Sequence, residues 1–175
     1  NQAASLVLHR QIQPCVYYTG MRKVLLVDLG EFVREVLKSL DSARDKSHAT
    51  LVALRGDLGA GKTTFVQALA KELGVRETVQ SPTYVLMKKY QIPNQGDALT
   101  PKLFKASPFL QLVHIDLYRL EKPEEFAALK PEEFLKDSKN LVCIEWPERA
   151  GNLLLKPVMI IKFSSEGASE NERYY

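Results

Sequence analysis

The chain has 175 residues, 45% of them hydrophobic, enough for one domain with a sizeable core and too few for two. Its 24 basic and 21 acidic residues leave a net charge of +3, too weak by itself to argue nucleic-acid binding. Cys15 and Cys143 have neither metal-ligand nor disulfide-framework spacing, which fits a reducing, cytoplasmic location, and no apolar run approaches the roughly 18 residues of a membrane span.

Residues 1–20 read as an N-terminal extension or a remnant outside the domain, with short strands possible at 6–8 and 15–18 and no sustained apolar core of a secretory signal. Val24 to Val27 reads as a short strand. Leu29, Phe32, Val33, Val36, Leu37 and Leu40 then share one face of an amphipathic helix over 29–40, with Asp28 as its N-cap. Residues 41–49 form a polar loop in which His48 is solvated. Thr50 to Leu54 is an apolar run of strand length.

That run leads into Gly56-Asp57-Leu58-Gly59-Ala60-Gly61-Lys62-Thr63-Thr64, which fits the phosphate-binding P-loop pattern. Glycines let the backbone turn tightly and approach a phosphate, and successive N–H groups form an anion-binding nest. A helix over 62–73 follows, with Phe65, Leu69 and Leu73 on one face and Gly74 as a stop. Its N-terminal dipole favours anions. Lys62 can reach the β- and γ-phosphates, and the Thr63 hydroxyl can bind Mg²⁺. A Gly-rich turn that only joins a strand to a helix is the plainer explanation, but strand, loop and helix come in the order the motif requires.

Gln80-Ser81-Pro82 breaks the chain, and Thr83 to Tyr90 reads as a strand. Thr83 could supply a second hydroxyl to Mg²⁺ or the γ-phosphate, as switch loops do, or be an ordinary turn residue. Residues 91–110 are a loop or hairpin excursion whose Lys102 and Lys105 read as a solvated face. Residues 110–115 read as a strand ending in Asp116, the Walker-B arrangement for holding Mg²⁺ directly or through water, with a turn-capping role as the alternative. His114 on that strand reads as a core or edge histidine. Pro123 to Asp137 holds two short helical pieces broken at Pro131, each opening on an acidic pair suited to a helix start.

Residues 140–144 are another apolar strand, ending in Glu145-Trp146. A Glu at such a strand end points into the ligand crevice of a doubly wound sheet and could orient or deprotonate an attacking water; a surface turn fits the same spacing. Pro157 to Phe163 is a last strand, and 164–175 is a polar tail. The pattern predicts an α/β P-loop NTPase domain over 21–163. It has three layers and a mostly parallel central sheet with antiparallel edge strands.

Together, the P-loop, Ser81-Pro82-Thr83-Tyr84, His114-Ile115-Asp116-Leu117-Tyr118-Arg119-Leu120 and Glu145-Trp146-Pro147-Glu148-Arg149 resemble the TsaE (YjeE) family, over about residues 29–163. Segments 1–20 and 91–110 are longer than the usual family pattern. The resemblance implies a small Mg²⁺-dependent ATPase of tRNA threonylcarbamoyladenosine biosynthesis, slow by itself. It would support TsaD and TsaB homologues in transferring a threonylcarbamoyl group to adenosine 37 of tRNA, contacting tRNA through that complex and no membrane. It implies phosphate and metal roles for Lys62 and Thr63 and a metal role for Asp116. Thr83 would lie in a switch-like loop, and Glu145 and Trp146 in the active site.

Other functions are weighed by what they need. A P-loop kinase of a small metabolite shares the loop and Asp116 but calls for an arginine-bearing lid that the chain does not display. A GTPase expects an Asn-Lys-x-Asp guanine reader, which is absent, so adenine is favoured. A scaffold with a vestigial loop is disfavoured by an intact Lys62 and Thr63. Arg55, Arg119 and Arg149 are candidates for an arginine finger, and position alone promotes none of them.

Overall fold

The structure, a computed structural model, describes residues 16–17, 23–93, 107–164 and 172–174. The strand expected at 6–8 and most of the 91–110 excursion lie outside these.

A six-stranded sheet forms the middle layer. Its strands are β1 (Val16–Tyr17), β3 (Thr50–Arg55), β4 (Met87–Gln91), β5 (Gln111–Asp116), β6 (Asn140–Glu145) and β7 (Met159–Lys162). Their spatial order is β1-β7-β3-β6-β5-β4. Every neighbouring pair is parallel except β4 with β5. Continuous burial along β3, β5 and β6 explains their unbroken apolar sequences, because a parallel strand covered on both faces has no solvent side. A separate antiparallel pair joins β2 (Lys23–Leu25) to β8 (Glu172–Tyr174), so part of the expected polar tail is a strand.

Two cores sandwich the sheet, and alternation along the strands assigns their members. On one face, Val52, Leu54, Leu112, Leu141 and Cys143 pack under α1 (Leu29–Ala43) and α2 (Lys62–Glu72). On the other, Leu51, Ala53, Val113, Ile115, Val142 and Ile144 meet Phe126, Phe134 and Ala150. These three belong to the 3-10 segment Pro123–Leu129, the short helix α3 (Pro131–Leu135) and the 3-10 segment Pro147–Leu153. The chain breaks at Pro131 as expected, with Lys130 in left-handed backbone between the two pieces.

α1 follows a 3-10 turn at Leu26–Asp28 and runs beyond residue 40 to Ala43. Asp28 occupies the N-cap position but its side chain makes no capping bond. The C-terminus of α2 closes as a Schellman motif: Val75 N–H donates to the Ala70 carbonyl at 2.9 Å and Gly74 N–H to the Lys71 carbonyl at 3.0 Å. α2 is fixed to α1 and to the end of β7 through Phe65, whose ring meets Phe32 edge-on at 6.1 Å and Phe163 at 5.8 Å. This packing sets where the N-terminus of α2 points. Among the described residues, no helix is long and apolar enough to cross a membrane.

Candidate functional site

Gly56 to Gly61 join β3 to α2. At Gly56, φ is 140°, and an added Cβ would lie 2.4 Å from the Phe163 carbonyl oxygen, so only glycine lets the loop leave the strand here. Gly59 and Gly61 also have positive φ, 78° and 102°. Ala60 is buried and its N–H donates to the Asp57 carbonyl at 3.2 Å, which ties the loop down. Asp57, Leu58 and Gly59 form the exposed crest, and Thr64 is exposed on the first turn of α2. No side chain caps α2, so its first-turn N–H groups are available to an anion.

Lys62 is buried to 4% exposure. Its Nζ donates to the Gly56 and Asp57 carbonyls, both at 2.7 Å, and lies 4.5 Å from the centre of the Trp146 ring. Burial holds its pKa below the ordinary lysine range, against the opposing pull of Glu145, Asp116, Asp57 and Glu148. Trp146 takes left-handed backbone at the end of β6, with φ 57°. Its ring also tilts against Tyr118 at 5.2 Å.

The two acids meet through the sheet. Asp116 ends β5 and Glu145 ends β6, and they are partners in the parallel register. On its other side Glu145 pairs with Leu54, two residues before Gly56. Both carboxylates are 3% exposed. Glu145 Oε1 accepts the Thr63 hydroxyl at 2.8 Å and bonds His114 Nε2 at 2.9 Å. Asp116 Oδ2 accepts from Ser81 Oγ at 3.2 Å and from the Thr83 hydroxyl, while its Oδ1 accepts the Tyr118 N–H at 3.0 Å.

The expected strand over 83–90 is corrected at its start. Thr83 to Leu86 form a turn, and β4 begins only at Met87. Leu86 has φ 61°, and its N–H donates to the Pro82 carbonyl at 2.6 Å. Its own carbonyl accepts the Asp116 N–H at 3.0 Å. The turn folds Ser81 and Thr83 back onto Asp116, which an extended strand would carry away.

Lys62, Thr63, Thr83, Asp116, Glu145 and Trp146 therefore gather at the carboxyl ends of neighbouring strands. Sequence reasoning gave His114 no part in this cluster and passed over the Ser81 hydroxyl. Period-two alternation was the available signal, because His114 stands two before Asp116 and must share its face. Among the arginines, Arg149 Nη1 donates to the Leu120 carbonyl at 2.8 Å and Arg119 lies over the Tyr84 ring at 4.1 Å.

A family model described as threonylcarbamoyl adenosine biosynthesis protein TsaE matches residues 27–174. The chain belongs to the TsaE family. It is 35% identical to the tRNA threonylcarbamoyladenosine biosynthesis protein TsaE of Nostoc sp. over 130 residues, covering 70% of this chain and 68% of that one. It is 34% identical to the protein of the same name from Rickettsia felis over 151 residues, covering 86% and 76%. Among solved structures, Bacillus subtilus YdiB shares the fold, with a TM-score of 0.54 at 24% identity over 89% of this chain and 84% of that one.

The donors of this TsaE-family site suit a nucleotide with a hard cation. Backbone N–H groups and Lys62 offer positive charge, whereas Thr63 and Asp116 offer oxygen. Among the described residues no three His, Cys, Asp or Glu side chains form a metal cage. Mg²⁺ needs none, being held with substrate phosphates by one or two protein groups.

Proposed function

We propose that this protein is a Mg²⁺-dependent ATP-binding and hydrolysing subunit. It acts in the cytoplasm with TsaD and TsaB homologues in forming threonylcarbamoyladenosine at position 37 of tRNA. The observation that carries the reading is the convergence of Lys62, Thr63, Asp116 and Glu145 on the uncapped end of α2, in a TsaE-family chain.

The loop from Gly56 to Gly61 cradles the phosphates with backbone N–H groups, and Lys62 neutralises charge on the β- and γ-oxygens. Thr63 and Asp116 would hold Mg²⁺, which would supply positive charge against the charge developing on the phosphate. Thr83, tied to Asp116, belongs to the metal side of the site. Glu145 orients a water in line with the γ-phosphate: its Oε1 is occupied by Thr63 and His114, while no described residue hydrogen-bonds Oε2. Trp146 covers the Lys62 ammonium. Partner stimulation is supported by two of the three candidate arginines, Arg119 and Arg149, being already engaged within the chain. Contact with tRNA runs through the complex.

The test is ATP turnover with Mg²⁺, alone and with the TsaB–TsaD pair, for wild type and Glu145→Ala. Turnover should rise with the pair and fall about a hundredfold or more in the variant. A rate indifferent to the pair but raised by a small acceptor, yielding ADP and a phosphorylated product, would assign the protein to the kinases instead.

A further inference from the structure

His114 is fully buried on β5, on the sheet face that meets α2. Its register partner on β6 is Cys143, not Glu145, so its bond to Glu145 runs diagonally across the strand pair. That bond ends on Oε1, the oxygen that also receives the Thr63 hydroxyl. Among the described residues the other ring nitrogen, Nδ1, is buried without a hydrogen-bond partner. An ionised carboxylate only accepts, so Nε2 carries the hydrogen of this bond. The bonding network thus assigns a hydrogen to Nε2, donated to Glu145 Oε1. A histidine kept for packing needs no such arrangement. Here one nitrogen is left orphaned while the other holds a carboxylate of the site.

We propose that His114 is a positioning residue for Glu145: together with Thr63 it clamps Oε1, stops the carboxylate rotating, and so presents Oε2 to the attacking water. The inference rests on the reading of Glu145 as the water-orienting group. The clamp joins β5, β6 and α2 through one oxygen. A carboxylate held from one side only would keep its rotational freedom and reach the productive geometry less often.

Two variants separate positioning from packing. His114→Leu keeps bulk without a donor, and His114→Gln can still donate to Oε1. In the presence of Mg²⁺ and the TsaB–TsaD pair, His114→Leu should lose about ten- to a hundredfold in kcat with KM unchanged. His114→Gln should recover most of that loss. Nucleotide affinity, followed by Trp146 fluorescence, should match wild type in both. A wild-type kcat in His114→Leu overturns the proposal, as does a loss that tracks thermal stability and is no smaller in His114→Gln. Imidazole ¹⁵N spectra of the resting protein supply a readout independent of turnover. They should show His114 carrying a hydrogen on Nε2, with that proton shifting in Glu145→Ala. A bare Nε2, or no shift, overturns the clamp. Absence of any wild-type ATP turnover defeats the ATPase reading, and those spectra still decide whether His114 holds Glu145.

Discussion

At Gly56 the backbone holds φ at 140°, and the space where a Cβ would project is filled by the Phe163 carbonyl. Gly56→Ala should therefore cost about 2 kcal/mol or more, from dihedral strain and displacement of β7's exit, read by chemical denaturation. Nucleotide binding should fall with it, because the loop can no longer leave β3 in the same direction. Single residues were unevenly legible in the sequence. Lys62 and Thr63 follow from loop spacing, since the helix geometry after a fixed glycine pattern leaves little freedom. Asp116 and Glu145 could be suspected from their places at strand ends. His114 could not be paired with Glu145, because that bond crosses two strands lying 31 residues apart in sequence.

Among the elements, α2 links the fold to the site. Phe65 is fully buried between Phe32 and Phe163, and these contacts fix the axis on which Lys62 and Thr63 are mounted. Phe65→Ala should cost about 3–5 kcal/mol of stability by removing a buried ring that its rigid neighbours cannot replace. Calorimetry would measure it. α1 and α2 were readable because each carries a single apolar stripe at helical period, and β3, β5 and β6 because each is a short unbroken apolar run. The turn at 83–86 was not. Tyr84, Val85 and Leu86 have strand-forming side chains, yet Tyr84 is 83% exposed and Val85 57% exposed. Local preference there gives way to the bonds that Ser81, Thr83 and the Leu86 carbonyl make to Asp116.

On the scale of the molecule, what matters is strand order. β6 is inserted between β3 and β5, so Glu145 stands between the P-loop strand and Asp116. The cluster thereby unites loop, helix and three strands, and a bound nucleotide would couple to all of them. A non-hydrolysable ATP analogue with Mg²⁺ at a hundred times its Kd should stabilise the protein by about 2.7 kcal/mol. That corresponds to a rise in Tm of roughly 5–10 °C for a chain of this size. Chelating the metal should reverse most of the shift. An unchanged Tm under saturating analogue would contradict nucleotide binding.

The sequence by itself determined the α/β class, the P-loop pattern and the places of Asp116 and Glu145 at strand ends. These depend on local chemistry: glycines where the backbone must turn, apolar runs where strands are buried, and a helix period where one face meets a core. Only the tertiary structure decided that Asp116 and Glu145 are neighbours, that Thr83 turns back onto Asp116, and that His114 grips Glu145. Those facts depend on strand order and register, which come from packing two cores on one sheet and leave no local trace in the chain.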